Sequence, residues 1–185
     1  MKKIVLGSNS ITRAELLDSF GVPFIQRGAS FDEESLNINN PSHFVYRATL
    51  GKMNSYVEEY GLDLPVVCAD TVVTCKDKLL RKAKNKNDAR EILLTQSGGK
   101  VSILTCMIYK AQKLEFIDLS STDYIFEEFD KQALEEYLLT DEWEGKAGAC
   151  MVEGFCKAYI KEVRGYESTA MGLCVEKLLP FLQED

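Results

Sequence analysis

A single histidine, His43, serves the whole 185-residue chain. That excludes a histidine-cluster metal site and argues against a Ser-His-Asp triad. No run approaches the roughly 18–20 consecutive apolar residues that span a bilayer. Met1-Lys2-Lys3 is followed only by Ile4-Val5-Leu6-Gly7, too short for the core of a signal peptide. The expectation is a cytoplasmic protein with no membrane partner. The six cysteines, Cys68, Cys75, Cys106, Cys150, Cys156 and Cys174, include no CxxC pair and match no zinc-ribbon or zinc-finger spacing. Most lie in apolar runs, which reads as small core residues kept as reduced thiols. A general basic excess is missing too. The net charge of -7 argues against a nucleic-acid polymer as partner. Repeats, linkers and low-complexity segments are absent. If the chain is an enzyme, carboxylates, lysines and a hard metal are left to do its chemistry.

What is present is an ordinary soluble composition, 45% hydrophobic and 28% charged. The length suits one domain over residues 1–185, with one sizeable core and room for two lobes. The chain is organised around Pro65-Val66-Val67-Cys68-Ala69-Asp70-Thr71-Val72-Val73. Its β-branched apolar residues predict a buried strand that stops at Asp70 and resumes as a second apolar run. A buried charge costs several kcal/mol, of the order of ~2–5, unless it is paired, hydrogen-bonded or metal-bound. Asp70 is therefore either a strand-end cap or a catalytic carboxylate, and the local pattern leaves both open.

Elements alternate along the rest of the chain. Residues 3–7 read as a strand, Ser8-Asn9-Ser10 as a polar turn, and Thr12-Arg13-Ala14-Glu15 as a capping box opening a helix that Gly21 ends. Such a helix start, with two hydroxyls and Arg13, suits an anion, although many strand–helix loops carry serine for capping alone. Residues 22–26 make a second strand, and Phe31-Asp32-Glu33-Glu34 an acidic turn. A helix opens at Asn39-Asn40-Pro41 and runs to Tyr60 before Gly61; Lys52 sits beside its apolar stripe, where a snorkelling rim lysine is the plain alternative. Six basic residues (Lys76, Lys78, Arg81, Lys82, Lys84, Lys86) against one acid, Asp77, mark a hairpin and loop, solvated for most of those lysines. A helix follows from Asn87 to about Gln96. Residues 100–110 and 114–126 form an antiparallel pair, 130–139 a helix capped by Asp130, 142–149 a flexible glycine-rich segment, 155–163 a strand and 171–183 a last helix. Interleaved strands and helices give the α/β class.

Four features together have the parts that a polyphosphate site needs: Ser8, Ser10 and Arg13 at a helix start; acids at 32–34; Asp70 in a strand; and the basic run with Lys82. Mg²⁺ prefers carboxylate and phosphate oxygen. Lysine and arginine neutralise phosphate, and a carboxylate beside a metal can orient or deprotonate water.

These motifs, in this order, resemble the Maf nucleoside triphosphate pyrophosphatases, also described as septum-formation-inhibitor-like proteins. Leu6-Gly7-Ser8-Asn9-Ser10-Ile11-Thr12-Arg13-Ala14-Glu15-Leu16-Leu17 is similar to that family's S-x-S-P-R-R-x-E-L-L loop and helix. Phe31-Asp32-Glu33 resembles its F-D-E segment, Ala48-Thr49-Leu50-Gly51-Lys52 its A-x-x-K helix, and Ala69-Asp70-Thr71-Val72-Val73 its A-D-T-V-V strand. Arg81-Lys82-Ala83 stands where the family has G-K-P, and Ser97-Gly98 matches its S-G turn. Gly145-Lys146-Ala147-Gly148 through Glu153-Gly154 resembles G-K-A-G…Q-G, and Gly172-Leu173 the terminal G-L.

The resemblance implies an α/β fold with a twisted mixed central sheet flanked by helices, two lobes with a cleft, similar to inosine-triphosphatase-like enzymes. It implies a hydrolase of phosphoric anhydride bonds that converts a nucleoside triphosphate into monophosphate and diphosphate by attack of water on the α-phosphate, with Mg²⁺ or Mn²⁺ as cofactor. Asp70 would be the base or water-orienting carboxylate, and Glu33 its partner toward metal and water. Ser8, Ser10, Arg13, Lys52 and Lys82 would hold the triphosphate. A homodimer is implied as well.

Departures from the pattern bear on the base. Ile11-Thr12 replaces Pro-Arg, Ala83 replaces proline, Gly99-Lys100-Val101 replaces Arg-Thr-His, and Cys174 replaces proline. The implied base-selecting positions read Thr12, Thr71 and Glu153. Thr71 is similar to the pyrimidine-preferring branch and Glu153 to the branch preferring methylated guanosine triphosphate. An ionised carboxylate accepts hydrogen bonds and cannot donate them, so the base stays open between these classes. The competing class is a non-catalytic nucleotide-binding or protein-interaction module in septum formation and cell division.

Overall fold

The structure, a computed structural model, describes residues 1–152 and 154–183. Among the described residues seven strands form one mixed sheet: β1 (Ile4–Leu6), β2 (Phe24–Gln26), β3 (Val66–Cys75), β4 (Lys78–Leu80), β5 (Lys100–Ala111), β6 (Leu114–Phe126) and β7 (Ile160–Arg164). Their order is β2-β1-β3-β5-β6-β7, with β4 paired to β3. The β1–β2 and β1–β3 pairs are parallel, while β3–β4 and β6–β7 are antiparallel. Only Gln112 and Lys113 separate β5 from its neighbour β6, a connection short enough only for an antiparallel pair.

The helices are α1 (Ile11–Ser19), α2 (Pro41–Tyr60), α3 (Lys86–Gln96), α4 (Lys131–Leu139), α5 (Glu167–Ala170) and α6 (Val175–Leu178). Among the described residues none is long and apolar enough to cross a membrane. Two compact units divide the chain. One holds residues 1–71, 104–121 and the segment from Tyr166; the other holds 72–103 and 122–165. In the first, Ile4 and Leu6 of β1, Leu17 of α1 and Val67 of β3 share a core with Met107 and with Leu173, Leu178 and Leu182 of the C-terminal segment. In the second, Leu93, Leu134, Leu138 and Trp143 are buried, beside an aromatic group in which Tyr137 stacks on Phe155 at 4.7 Å between ring centroids.

Several elements differ from the sequence expectation. Strand β3 does not stop at Asp70; it runs unbroken through it to Cys75. Its β-branched residues favour extended backbone on both sides, and the charge is neutralised by a partner rather than by ending the strand. Helix α1 is capped two residues before the expected box: Ser10 is the cap, and its Oγ accepts from Arg13 N at 3.3 Å. The strand expected over 155–163 is confined to Ile160–Arg164, because Phe155–Tyr159 makes a 3-10 turn that joins the aromatic group. The single helix expected over 171–183 is broken into α6 and a 3-10 turn, Leu179–Phe181, preceded by Gly172 at φ +105°. The 142–149 segment is held: Trp143 Nε1 donates to Leu138 O at 3.3 Å, and Gln96 Nε2 to Gly148 O at 2.6 Å.

Not all six cysteines are core thiols. Cys150 and Cys156 form a disulfide with their Cα atoms 6.5 Å apart, whereas Cys68, Cys75, Cys106 and Cys174 are buried and free. That Cα separation is within bridging reach, which spacing in the sequence does not reveal. Burial pushes the Cys68 thiol up to about 12, so it stays protonated and donates weakly to Gly7 O at 3.6 Å.

Candidate functional site: two carboxylates about one lysine

Helix α2 carries Lys52, and β3 carries Asp70. The two meet as a half-buried pair, with Lys52 Nζ donating to Asp70 Oδ1 at 2.6 Å. The same ammonium forms an ion pair with Glu33, which opens a 3-10 turn, Glu33–Ser35. Two contacts dock that acidic segment onto α2. Ser55 Oγ donates to Ser30 O at 2.6 Å. Gly51, one residue before Lys52, lies under the Phe31 ring, where any Cβ would overlap the ring carbons. The glycine therefore lets Phe31 seat against the helix, and Phe31 brings Glu33 to Lys52.

The three charges are unequal. Asp70 is 5% exposed. Burial pushes its carboxyl above the ordinary range, Lys52 pulls it back, and the Glu33 charge adds to the rise. Burial also opposes ionisation of Glu33, but the hydrogen bond and charge of Lys52 outweigh it and hold Glu33 low. One carboxyl is thus driven up and the other down, a separation that gives two like groups different roles in proton chemistry.

Beside them lies the loop after β1. Ser8 Oγ accepts from Ser10 N at 3.2 Å and from Arg13 Nη1 at 3.1 Å. Gln26 Nε2 bridges Ser8 O and Ser10 O at 2.9 and 3.1 Å, fixing the loop from β2. Gly7 sets the approach of β1 to β3, since a Cβ there would meet Cys68 Sγ at 2.5 Å. Arg13 donates through Nε to Gly172 O at 2.8 Å and through Nη2 to Thr71 Oγ1 at 3.2 Å. Burial pulls its guanidinium below the ordinary value, with the Asp70 and Glu33 charges acting the other way.

The structure therefore brings together Ser8, Ser10, Arg13, Glu33, Lys52, Asp70 and Thr71. Lys52 is no rim lysine: its ammonium pairs with two carboxylates and, with three donors, keeps one for a further oxygen. Thr12 sits in the first turn of α1 and is exposed. Lys82 belongs to the other unit, is exposed, and pairs through its backbone with Ala147. Glu153 lies outside the described residues. Sequence reasoning missed Gly51 with Phe31, Gln26, Thr105, Thr169 and the carbonyl of Gly172. Phe31, Gly51 and Gly172 lay inside the stretches 31–33, 48–52 and 172–173 that carry the resemblance; Gln26, Thr105 and Thr169 carried no signal.

Known proteins bear on both fold and family. The chain is 57% identical over 177 residues, 95% of its length and 96% of the relative's, to a nucleoside triphosphate pyrophosphatase of Nitratiruptor sp.. It is 40% identical over 181 residues, 98% of its length and 95% of the relative's, to a protein of the same description from Helicobacter pylori strain J99. The solved Ham1 protein of Staphylococcus aureus shares the fold at a TM-score of 0.52 and 12% identity, covering 98% of each chain. The family profile described as Maf-like protein matches residues 3–185, and the chain belongs to that family.

Proposed function

We propose that this protein is a nucleoside triphosphate pyrophosphatase, a single domain over residues 1–185, that hydrolyses a nucleoside triphosphate to the monophosphate and diphosphate. The observation that carries the reading is the convergence of two carboxylates, Asp70 and Glu33, on the Lys52 ammonium, which stands 2.6 Å from Asp70 Oδ1. Its relatives' descriptions support the same reaction class.

Water attacks the α-phosphorus, the bond to the bridging oxygen breaks, and diphosphate leaves. Asp70, in its ionised form, accepts the proton of that water or orients it. Burial raises its basicity, which is what a base working near neutral pH requires. Arg13, Lys52 and the hydroxyls of Ser8 and Ser10 hold the triphosphate oxygens, with Lys82 as a further phosphate ligand. The Ser10 hydroxyl already caps α1, so it serves the phosphates from the end of a helix whose dipole favours anions. Thr12, Thr71 and Glu153 are assigned to the base.

Glu33 and Asp70 converge on one cation, the Lys52 ammonium, and two carboxylate oxygens about a positive charge are the hard donor set that Mg²⁺ or Mn²⁺ takes. Among the described residues no cluster of three or more His, Cys, Asp or Glu side chains forms, so phosphate and water would supply the remaining ligands. When bound, the divalent ion would neutralise charge on the transferring phosphate.

The test is a panel of canonical and modified triphosphates, each with Mg²⁺ or Mn²⁺, scored by pyrophosphate release. The expected result is metal-dependent release from a subset of bases. Tight triphosphate binding with no product under either metal would overturn it in favour of a binding module in septum formation.

A further inference from the structure

We propose that Thr105 is a positioning residue that orients Arg13 and Thr71 through a hydrogen-bond chain of fixed direction. The proposal rests on the reading of Arg13 as a phosphate ligand. Thr105 lies on β5, is 1% exposed, and matches none of the motifs in the loop, the acidic turn or the β3 strand.

The chain has two ends that determine its polarity. Arginine only donates hydrogen bonds and a carbonyl oxygen only accepts them. At one end Arg13 Nη2 donates to Thr71 Oγ1 at 3.2 Å. At the other, Thr105 Oγ1 donates to Thr169 O at 2.7 Å. The two threonine hydroxyls are 2.9 Å apart. Thr105 has one proton and gives it to the carbonyl, so Thr71 must be the donor between them. The proton of Thr71 is thereby committed to Thr105, and toward anything else Thr71 can only accept.

The far end folds back on Arg13. Gly172, three residues after Thr169, supplies the carbonyl that takes Arg13 Nε at 2.8 Å. Gly172 N itself donates to Thr169 O at 3.1 Å. One short stretch of chain, 169–172, therefore anchors the guanidinium directly and through the two hydroxyls. Gly172, at φ +105°, fits there without a side chain; a Cβ would stand 3.2 Å from both Arg13 Nε and Thr71 Oγ1. With Ser8 Oγ on Nη1, three of the five arginine donors are used. Among the described residues one N–H on each terminal nitrogen is left for a ligand, in a plane that the circuit fixes. A guanidinium held this way loses little rotamer freedom when it binds phosphate.

The experiment uses the full chain with two substitutions. Thr105→Val keeps the shape and removes the hydroxyl, and Thr105→Ser keeps the hydroxyl. Thr105→Val is expected to raise KM for the best triphosphate about tenfold, the scale of one hydrogen bond lost. Its kcat should stay within about twofold, because a lost ground-state ligand affects binding and transition state alike. Thr105→Ser should restore both constants. Independently of activity, the Arg13 Nε–H resonance in ¹⁵N-labelled protein, identified by its loss in Arg13→Lys, should exchange slowly with solvent in the wild type and the serine variant and rapidly in the valine variant. Thr105→Ala carries the same expectation if the valine variant fails to fold. A valine variant with wild-type KM and a protected Arg13 Nε–H overturns the proposal, as does a fall in kcat at constant KM. A wild-type protein that hydrolyses no triphosphate would sink the reading of the site, while the resonance would still judge the role of Thr105.

Discussion

The ammonium of Lys52 stands 2.6 Å from Asp70 Oδ1 and is shared with Glu33. One cation thus holds two carboxylates of opposite tendency, Asp70 raised by burial and Glu33 held low by the lysine. The residue at the centre of the site comes from a helix, and its two partners come from a strand and from a turn.

Asp70→Asn separates stability from activity. A carboxyl whose pKa is raised by folding stabilises the fold in its protonated form. That contribution is complete below the unfolded value and is lost as pH rises through the folded one. At neutral pH the ionised Asp70 is therefore a cost, which the neutral amide removes while Lys52 keeps Glu33 as partner. The expected result is a Tm at pH 7 no lower than that of the wild type, with pyrophosphate release reduced about 10²- to 10⁴-fold, the usual scale of a general base. Thermal melts and steady-state rates on the same preparation check it; near-normal turnover would remove Asp70 from the chemistry.

Lys52→Met should move the pH profile in a defined direction. The working form of Asp70 is ionised, so activity rises with pH as its proton leaves. Burial raises the Asp70 value and Lys52 draws it down, so the loss of Lys52 leaves burial less opposed. The acidic limb of kcat/KM should therefore shift to higher pH, with KM for the triphosphate raised as a phosphate ligand is lost. A limb that stays in place or moves to lower pH would contradict the pairing.

Gly51→Ala tests how Glu33 is delivered. Alanine favours the α2 helix by about 1 kcal/mol over glycine, which offsets part of the roughly 1–3 kcal/mol for forcing a methyl against the Phe31 ring. Stability should change little while activity falls, because Phe31 must leave its seat and the acidic turn moves with it. Adding Phe31→Leu, which frees the space, should recover activity. An active single variant would show that Glu33 does not depend on this contact.

Much of the fold was legible in local sequence. The helix from Pro41 to Tyr60 was framed by Asn40 and Gly61, and the observed strand pair 100–111 and 114–126 by two β-rich runs read at 100–110 and 114–126. Local signals failed where a choice depended on distant partners. The 3-10 turn at Phe155–Tyr159 exists because aromatic rings from α4 and from Phe129 receive it. Strand β3 continues through Asp70 because Lys52, 18 residues earlier, neutralises the charge.

The sequence by itself determined the α/β class, the hydroxyl-rich loop that ends in Arg13, and the set of residue types from which a polyphosphate site can be made. Those are properties of short stretches, where propensity, capping and side-chain chemistry act within a few residues. Tertiary structure alone decided which of these groups meet. Glu33 and Asp70 converge on Lys52 because a glycine in α2 admits Phe31, and Arg13 is oriented by a circuit through Thr71, Thr105, Thr169 and Gly172. Such contacts join residues as far as 159 positions apart. Hydrogen-bond direction and the energy of a buried charge depend on which atoms are adjacent in space, and no local pattern in the chain encodes that.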